Sequence, residues 1–145
     1  MNNQALFQLT KTQTDFPRVK ITSSKDAYQV ISQYYGSDIE IYESFFILLV
    51  DRSNTTVGYA KISQGGIAGT VVDIKIIAKY CLDSLCSGVI LAHNHPSGNL
   101  KPSPQDESIT KKIQDALGLL EVNVLDHLIL TSNSYYSFKD EANIL

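Results

Sequence analysis

Two stretches leave this chain few ways to fold. Residues 44–50, SFFILLV, are apolar at every position but the first, and residues 88–93, GVILAH, repeat the pattern over a shorter length. Runs this short cannot cross a bilayer, which takes roughly 20 apolar residues. They fit strands covered on both faces, so helices must lie above and below a shared sheet. The 145 residues are the size of one domain, and an apolar share of 43% can build its core.

Around these strands the periodicity alternates. Residues 1–20 lack it and read as an N-terminal arm or an edge strand, with the domain proper at 21–145. SSKDAYQVISQYY (23–35) is a helix, with Ser23 and Asp26 suited to a capping box and Gly36 as its stop. After SFFILLV, DRSN turns the chain into VGYAKIS (57–63), a hairpin partner. GGIAGT (65–70) is a glycine-rich connection without the ending or spacing of a phosphate loop. Ile74, Ile77, Ala78, Cys81 and Leu85 trace one face of a second helix. A third runs from Pro104 to about Leu120, carrying Ile109, Ile113, Ala116, Leu117 and Leu120. VNVLDHLILT (122–131) and YYSF (135–138) are the last strands. Strands linked through helices pair in parallel and hairpins antiparallel, so the class is α/β with a mixed central sheet flanked by helices.

Composition narrows the function. A formal charge of −3 with scattered lysines does not suit binding to a nucleic-acid backbone. The N-terminus lacks the basic start and long apolar segment of a secretory signal. Cys81 and Cys86, five apart, make no disulfide framework and read as reduced packing residues. These features point to a cytoplasmic protein.

The chemistry concentrates in HNHPSGNLKPSPQD (93–106), which holds two of the three histidines. Residues i and i+2 of an extended segment share a face, and Pro96 biases His95 toward that conformation. His93 and His95 can therefore aim at one point beyond the strand end, a natural chelate for a transition metal. Asp106 offers a third ligand on the first turn of the next helix. Ser103, Pro104 and Asp106 are also ordinary helix-starting residues, and one carboxylate should not fully serve both a cap and a metal. A metal site there thus predicts a cap made mainly by Ser103. Two histidines and one aspartate leave the fourth position of a tetrahedral zinc to water, whose pKa falls towards about 7 when bound. A base is then required, and Glu43 stands at the mouth of SFFILLV where an acid has no packing reason to be. His127 should share a strand face with Leu125 and Ile129 as a half-buried, hydrogen-bonded residue, with Asp126 facing the other way. Asn94 should point away from the metal.

His-x-His, seven residues, Ser, two residues, Asp is the JAMM signature, met here by His93, His95, Ser103 and Asp106. With LAHNHPSGNLKPSPQD and VLDHLILTSNSYYSF, the chain resembles the JAB/MPN domain of the RadC family over roughly residues 20–140. The resemblance implies a JAB/MPN, cytidine-deaminase-like fold. It implies Zn2+ held by His93, His95 and Asp106, with Glu43 as catalytic base and Ser103 on the oxyanion or water. It also implies a zinc-dependent hydrolase cleaving peptide or isopeptide bonds, with a peptide or protein substrate. The alternatives are a catalytically silent interaction module and an accessory DNA-repair factor, since RadC-like proteins carry a DNA-repair label. RadC-type chains usually have a helix-hairpin-helix region ahead of this domain, for which 145 residues leave no room, so direct nucleic-acid binding is not expected. VVDIK (71–75) also replaces a His-Pro-Arg-Glu-like stretch of the family.

Overall fold

A computed structural model describes residues 2–8, 10–65, 71–142 and 145; most of the expected glycine-rich connection, 66–70, lies outside them. The two apolar runs are adjacent strands at the middle of a five-stranded sheet. β1 is Ser44–Val50, β2 Thr56–Gln64, β3 Gly88–Asn94, β4 Asn123–Leu130 and β5 Tyr135–Ser137. Their order is β2-β1-β3-β4-β5. Only the β3–β4 pair is parallel; the others are antiparallel. Every residue of β1 and of β3 is buried, including the polar Ser44, His93 and Asn94 at their ends.

Helices cover both faces. Against one, α2 (Ile74–Ser84) and α3 (Pro104–Gly118) bring Ile77, Cys81, Ile113 and Leu117 onto Phe45, Ile47, Leu49, Val89 and Leu91. Against the other, α1 (Ser24–Ile31) brings Ala27 and Ile31 onto Leu48, Val50, Ile90, Ala92, Leu128 and Leu130. Odd and even positions of β1 and β3 thus feed separate cores, the period-two alternation of a pleated strand. The arrangement is α/β with a mixed sheet, as expected.

Local departures have local causes. Ser23 caps α1 by accepting from the Asp26 amide, but the Asp26 carboxylate accepts from Thr22 instead of closing the box. That helix ends at Ile31 and continues as a 3-10 turn over Ser32–Tyr34, short of Gly36. Leu85 is not on the packed face of α2; it is 84% exposed and terminates the helix with a left-handed backbone, φ 54°. Leu120 likewise falls beyond the end of α3 and is 41% exposed. Phe138 begins a short α4 (Phe138–Glu141) rather than extending β5. In β4 the register slips opposite Val89 and Ile90, which pair with Val124 and Asp126. This irregularity puts Leu125 into the α1-side core, so His127 shares a face with Ile129 but not with Leu125.

The described residues before Lys20 hold no helix or strand. Phe16 nonetheless packs edge-on against Tyr34 and Tyr59, and Arg18 bonds the Thr56 carbonyl and the Asp51 carboxylate. Among the described residues no helix is long and apolar enough to cross a membrane.

Candidate metal centre

The site lies where β3 hands over to α3. β3 ends at Asn94, yet the His95 amide still donates to the Leu130 carbonyl of β4 at 2.9 Å, which keeps the backbone extended one residue further. His93 and His95 therefore project to the same side, and their Nε2 atoms are 3.1 Å apart. His95 Nδ1 lies 2.6 Å from the Asn99 carbonyl, which can only accept, so that nitrogen carries a proton and Nε2 is left for the site.

α3 delivers Asp106 to the same point. Its Oδ1 is 3.2 Å from His93 Nε2 and its Oδ2 3.2 Å from His95 Nε2. The cap differs from the expected one. Ser103 Oγ accepts from the Asp106 amide at 3.0 Å, and Asp106 Oδ2 accepts from the Ser103 amide at 2.8 Å, a complete reciprocal box. A carboxylate has lone pairs on both oxygens, so Oδ2 can serve the cap while Oδ1 stays turned to His93. Capping and convergence on the imidazoles are compatible after all.

Glu43, just ahead of β1, completes the cluster. One ligand atom each from Glu43, His93 and His95 lies within 4.8 Å of the others. Its placement comes from the other side of β3. The fully buried Asn94 donates to the carbonyls of Ile39 at 2.7 Å and Tyr42 at 2.8 Å, and its Oδ1 accepts from the Ser44 amide at 2.7 Å. Both chain neighbours of Glu43 are thus tied to the residue between the two histidines. Asn94 points away from the imidazoles as expected, and no local pattern in the sequence announces this clamp.

His127 is wholly buried rather than half-buried. Its Nε2 is 2.8 Å from His93 Nδ1 and its Nδ1 2.6 Å from Thr110 Oγ1. Its ring stacks on Phe138 at 4.7 Å. Burial holds the imidazole well below its ordinary pKa, and the neighbouring His93 adds to this, so the ring is neutral. A cavity of about 310 Å³ opens over the cluster, with Glu43, His93, Asp106 and His127 in its lining and Phe45 and Ile109 among its apolar walls. Ser103 is not in that lining; its hydroxyl oxygen sits at the helix cap.

The donor set fits a divalent ion. Ligand atoms about 2.05 Å from a tetrahedral metal stand about 3.3 Å apart. His93 Nε2 and His95 Nε2 are 3.1 Å apart, and they lie 3.2 Å from different oxygens of Asp106, Oδ1 and Oδ2 respectively, while Glu43 is the carboxylate that offers a single atom close to both imidazoles. Two imidazoles and carboxylates are the donor types zinc accepts.

Comparison with known proteins agrees with this architecture. The model of the family described as the RadC-like JAB domain matches residues 21–143. A UPF0758 protein of Flavobacterium johnsoniae is 49% identical over 123 residues, covering 84% of this chain and 52% of that protein. UPF0758 proteins of Porphyromonas gingivalis and Coprothermobacter proteolyticus are 38% and 37% identical, over 86% and 84% of this chain. The chain spans about half the length of these relatives, between 52% and 54%.

Proposed function

The chain belongs to the RadC-like JAB domain family, and from that premise we propose that it is a zinc-dependent hydrolase of peptide or isopeptide bonds. The reading is supported by one observation: at a strand exit and a helix entrance, His93 Nε2 and His95 Nε2 stand 3.1 Å apart, each 3.2 Å from one oxygen of Asp106, beside a cavity. His93, His95 and Asp106 would hold the ion, which when bound supplies Lewis acidity toward a carbonyl and acidifies water.

The remaining roles belong to the protein. Glu43, in the cavity lining, takes a proton from the attacking water and returns it to the leaving amine. Ser103, outside the cavity lining, accepts from the Asp106 amide and fixes the turn that carries that carboxylate. The walls formed by Phe45 and Ile109 exclude bulk water and receive the substrate chain. The capping box holds the Asp106 rotamer, so the ligand is positioned before any ion arrives.

Elemental analysis of protein equilibrated with zinc tests this. Wild type should carry about one ion per chain, and Asp106→Ala should lose most of it while remaining folded. Glu43→Gln should keep the ion and lose hydrolysis of an isopeptide panel by about 10²–10⁴-fold. Protein that takes up no zinc has no such function; a Glu43→Gln protein that also loses its ion makes Glu43 a ligand rather than the base.

A further inference from the structure

We propose that Thr110 and His127 form a hydrogen-bond chain that sets the tautomer in which His93 meets its ion, making both positioning residues. The inference rests on the metal-site reading above and adds to it two residues that the JAMM signature does not contain.

The direction of each bond follows from the one before. Thr110 Oγ1 lies 2.6 Å from the Asp106 carbonyl oxygen, which can only accept, so the single hydroxyl proton points there. The same Oγ1 is 2.6 Å from His127 Nδ1 and, its proton committed, must accept. His127 Nδ1 therefore carries a proton, and the neutral ring presents a lone pair at Nε2. That lone pair faces His93 Nδ1 at 2.8 Å, so His93 donates from Nδ1. His93 Nε2 is left bare, turned toward His95 Nε2 and Asp106 Oδ1. The chain begins at the backbone of Asp106 and returns to its side chain, so one helical turn both supplies a ligand and orients another.

Burial makes the sequence of bonds binding. Thr110 and His127 are fully buried and His93 is 3% exposed, so water cannot replace a broken link. His127 cannot swing its ring to exchange nitrogens, because it stacks on Phe138 at 4.7 Å and meets Phe45 edge-on at 5.6 Å. The opposite tautomer would set two acceptors face to face at Thr110 and turn a proton of His93 into the space an ion would fill. Ligating histidines depend on the partner of their second nitrogen, and losing it costs about 10–100-fold in metal affinity.

Two measurements test this. The first is the 15N spectrum of His93 in metal-free wild type at a pH where the rings are neutral; a protonated Nδ1 is expected. A protonated Nε2 overturns the inference whatever the protein does with zinc. The second is zinc affinity by chelator competition. Thr110→Val, which keeps the shape and removes the hydroxyl, should weaken binding about tenfold or more and blur the His93 tautomer, and Thr110→Ser should restore both. His127→Phe should weaken it at least as much. Wild-type affinity and tautomer in a folded Thr110→Val protein would overturn the proposal; should His127→Phe fail to fold, Thr110→Val and the wild-type spectrum decide it. Wild type that binds no zinc but shows Nδ1–H on His93 sinks the hydrolase reading and leaves the hydrogen-bond chain standing.

Discussion

His95 and Asp106 form a pair whose proton an ion would have to displace. The hydrogen bond that the Asp106 carboxylate accepts from His95 raises the His95 pKa above its ordinary 6.5, against the opposing effect of burial. Burial pushes the Asp106 carboxyl up, but hydrogen bonds from the protonated forms of the His93 and His95 rings, the charge of that form of His93 and the Ser103 amide outweigh it and hold the group well below 3.8. The signs set a window for metal-free protein. The raised His95 value contributes stability that is complete below 6.5 and disappears as pH rises through the folded value. The depressed Asp106 value contributes stability present above 3.8 and lost as pH falls toward the folded value. The contribution of this pair to metal-free stability is therefore greatest between these limits, opposed below 6.5 by the buried His127, whose lowered value costs stability as pH falls. An ion must displace the His95 proton, so zinc affinity should climb with pH up to a value above 6.5 and then level off. Chelator competition across that range checks this, and an affinity indifferent to pH would take His95 out of the ligand set.

Among the elements, β3 contributes most to the site. Its even and odd residues serve opposite faces, so His93 faces the cavity while Asn94 clamps the segment bearing Glu43 from behind. α3 contributes its first turn, where the Ser103 amide and the positive dipole end favour an ionised Asp106. Asn94→Leu should strand two carbonyls and an amide in the interior at about 1–3 kcal/mol apiece, for a loss near 3 kcal/mol or more in denaturant unfolding. Zinc content should change little, because the substituted side chain lies on the other face from the imidazoles. Unchanged stability would mean that other contacts hold Glu43.

At the scale of the whole molecule, the two cores close through apolar side chains, some of which, Phe45 and Ile109 among them, also wall the cavity. Neither apolar cluster contains His93, His95 or Asp106. Removing an ion should therefore leave the fold intact and only withdraw its binding energy, about 2.7 kcal/mol when free zinc is 100-fold above Kd. Thermal unfolding should shift downward on chelation and recover on adding zinc back, with the helical circular dichroism at low temperature unchanged. Loss of that signal on chelation would make the ion structural. The central position of β1 and β3 gives the site a rigid floor, and the loop from His95 to Ser103 lies outside it, where geometry can differ without disturbing the core.

The order of elements, the two buried strands and the helix starting at Pro104 were legible because each is written in local periodicity and caps. So was the convergence of His93 with His95, which needs only an extended backbone two residues long. The far contacts were not. Thr110 meets His127 across 17 residues of chain, His127 meets His93 across 34, and Asn94 meets Ser44 across 50. Nor could alternation foresee the register shift that moves Leu125 to the other face, because one extra residue resets the phase only once the partner strand is in place. Sequence alone offered the histidine pair and the carboxylates Glu43 and Asp106 as candidates for holding an ion. Tertiary packing decided which ring nitrogens converge and what holds the acid beside them, because such bonds run between elements whose relative positions are set only when both cores close.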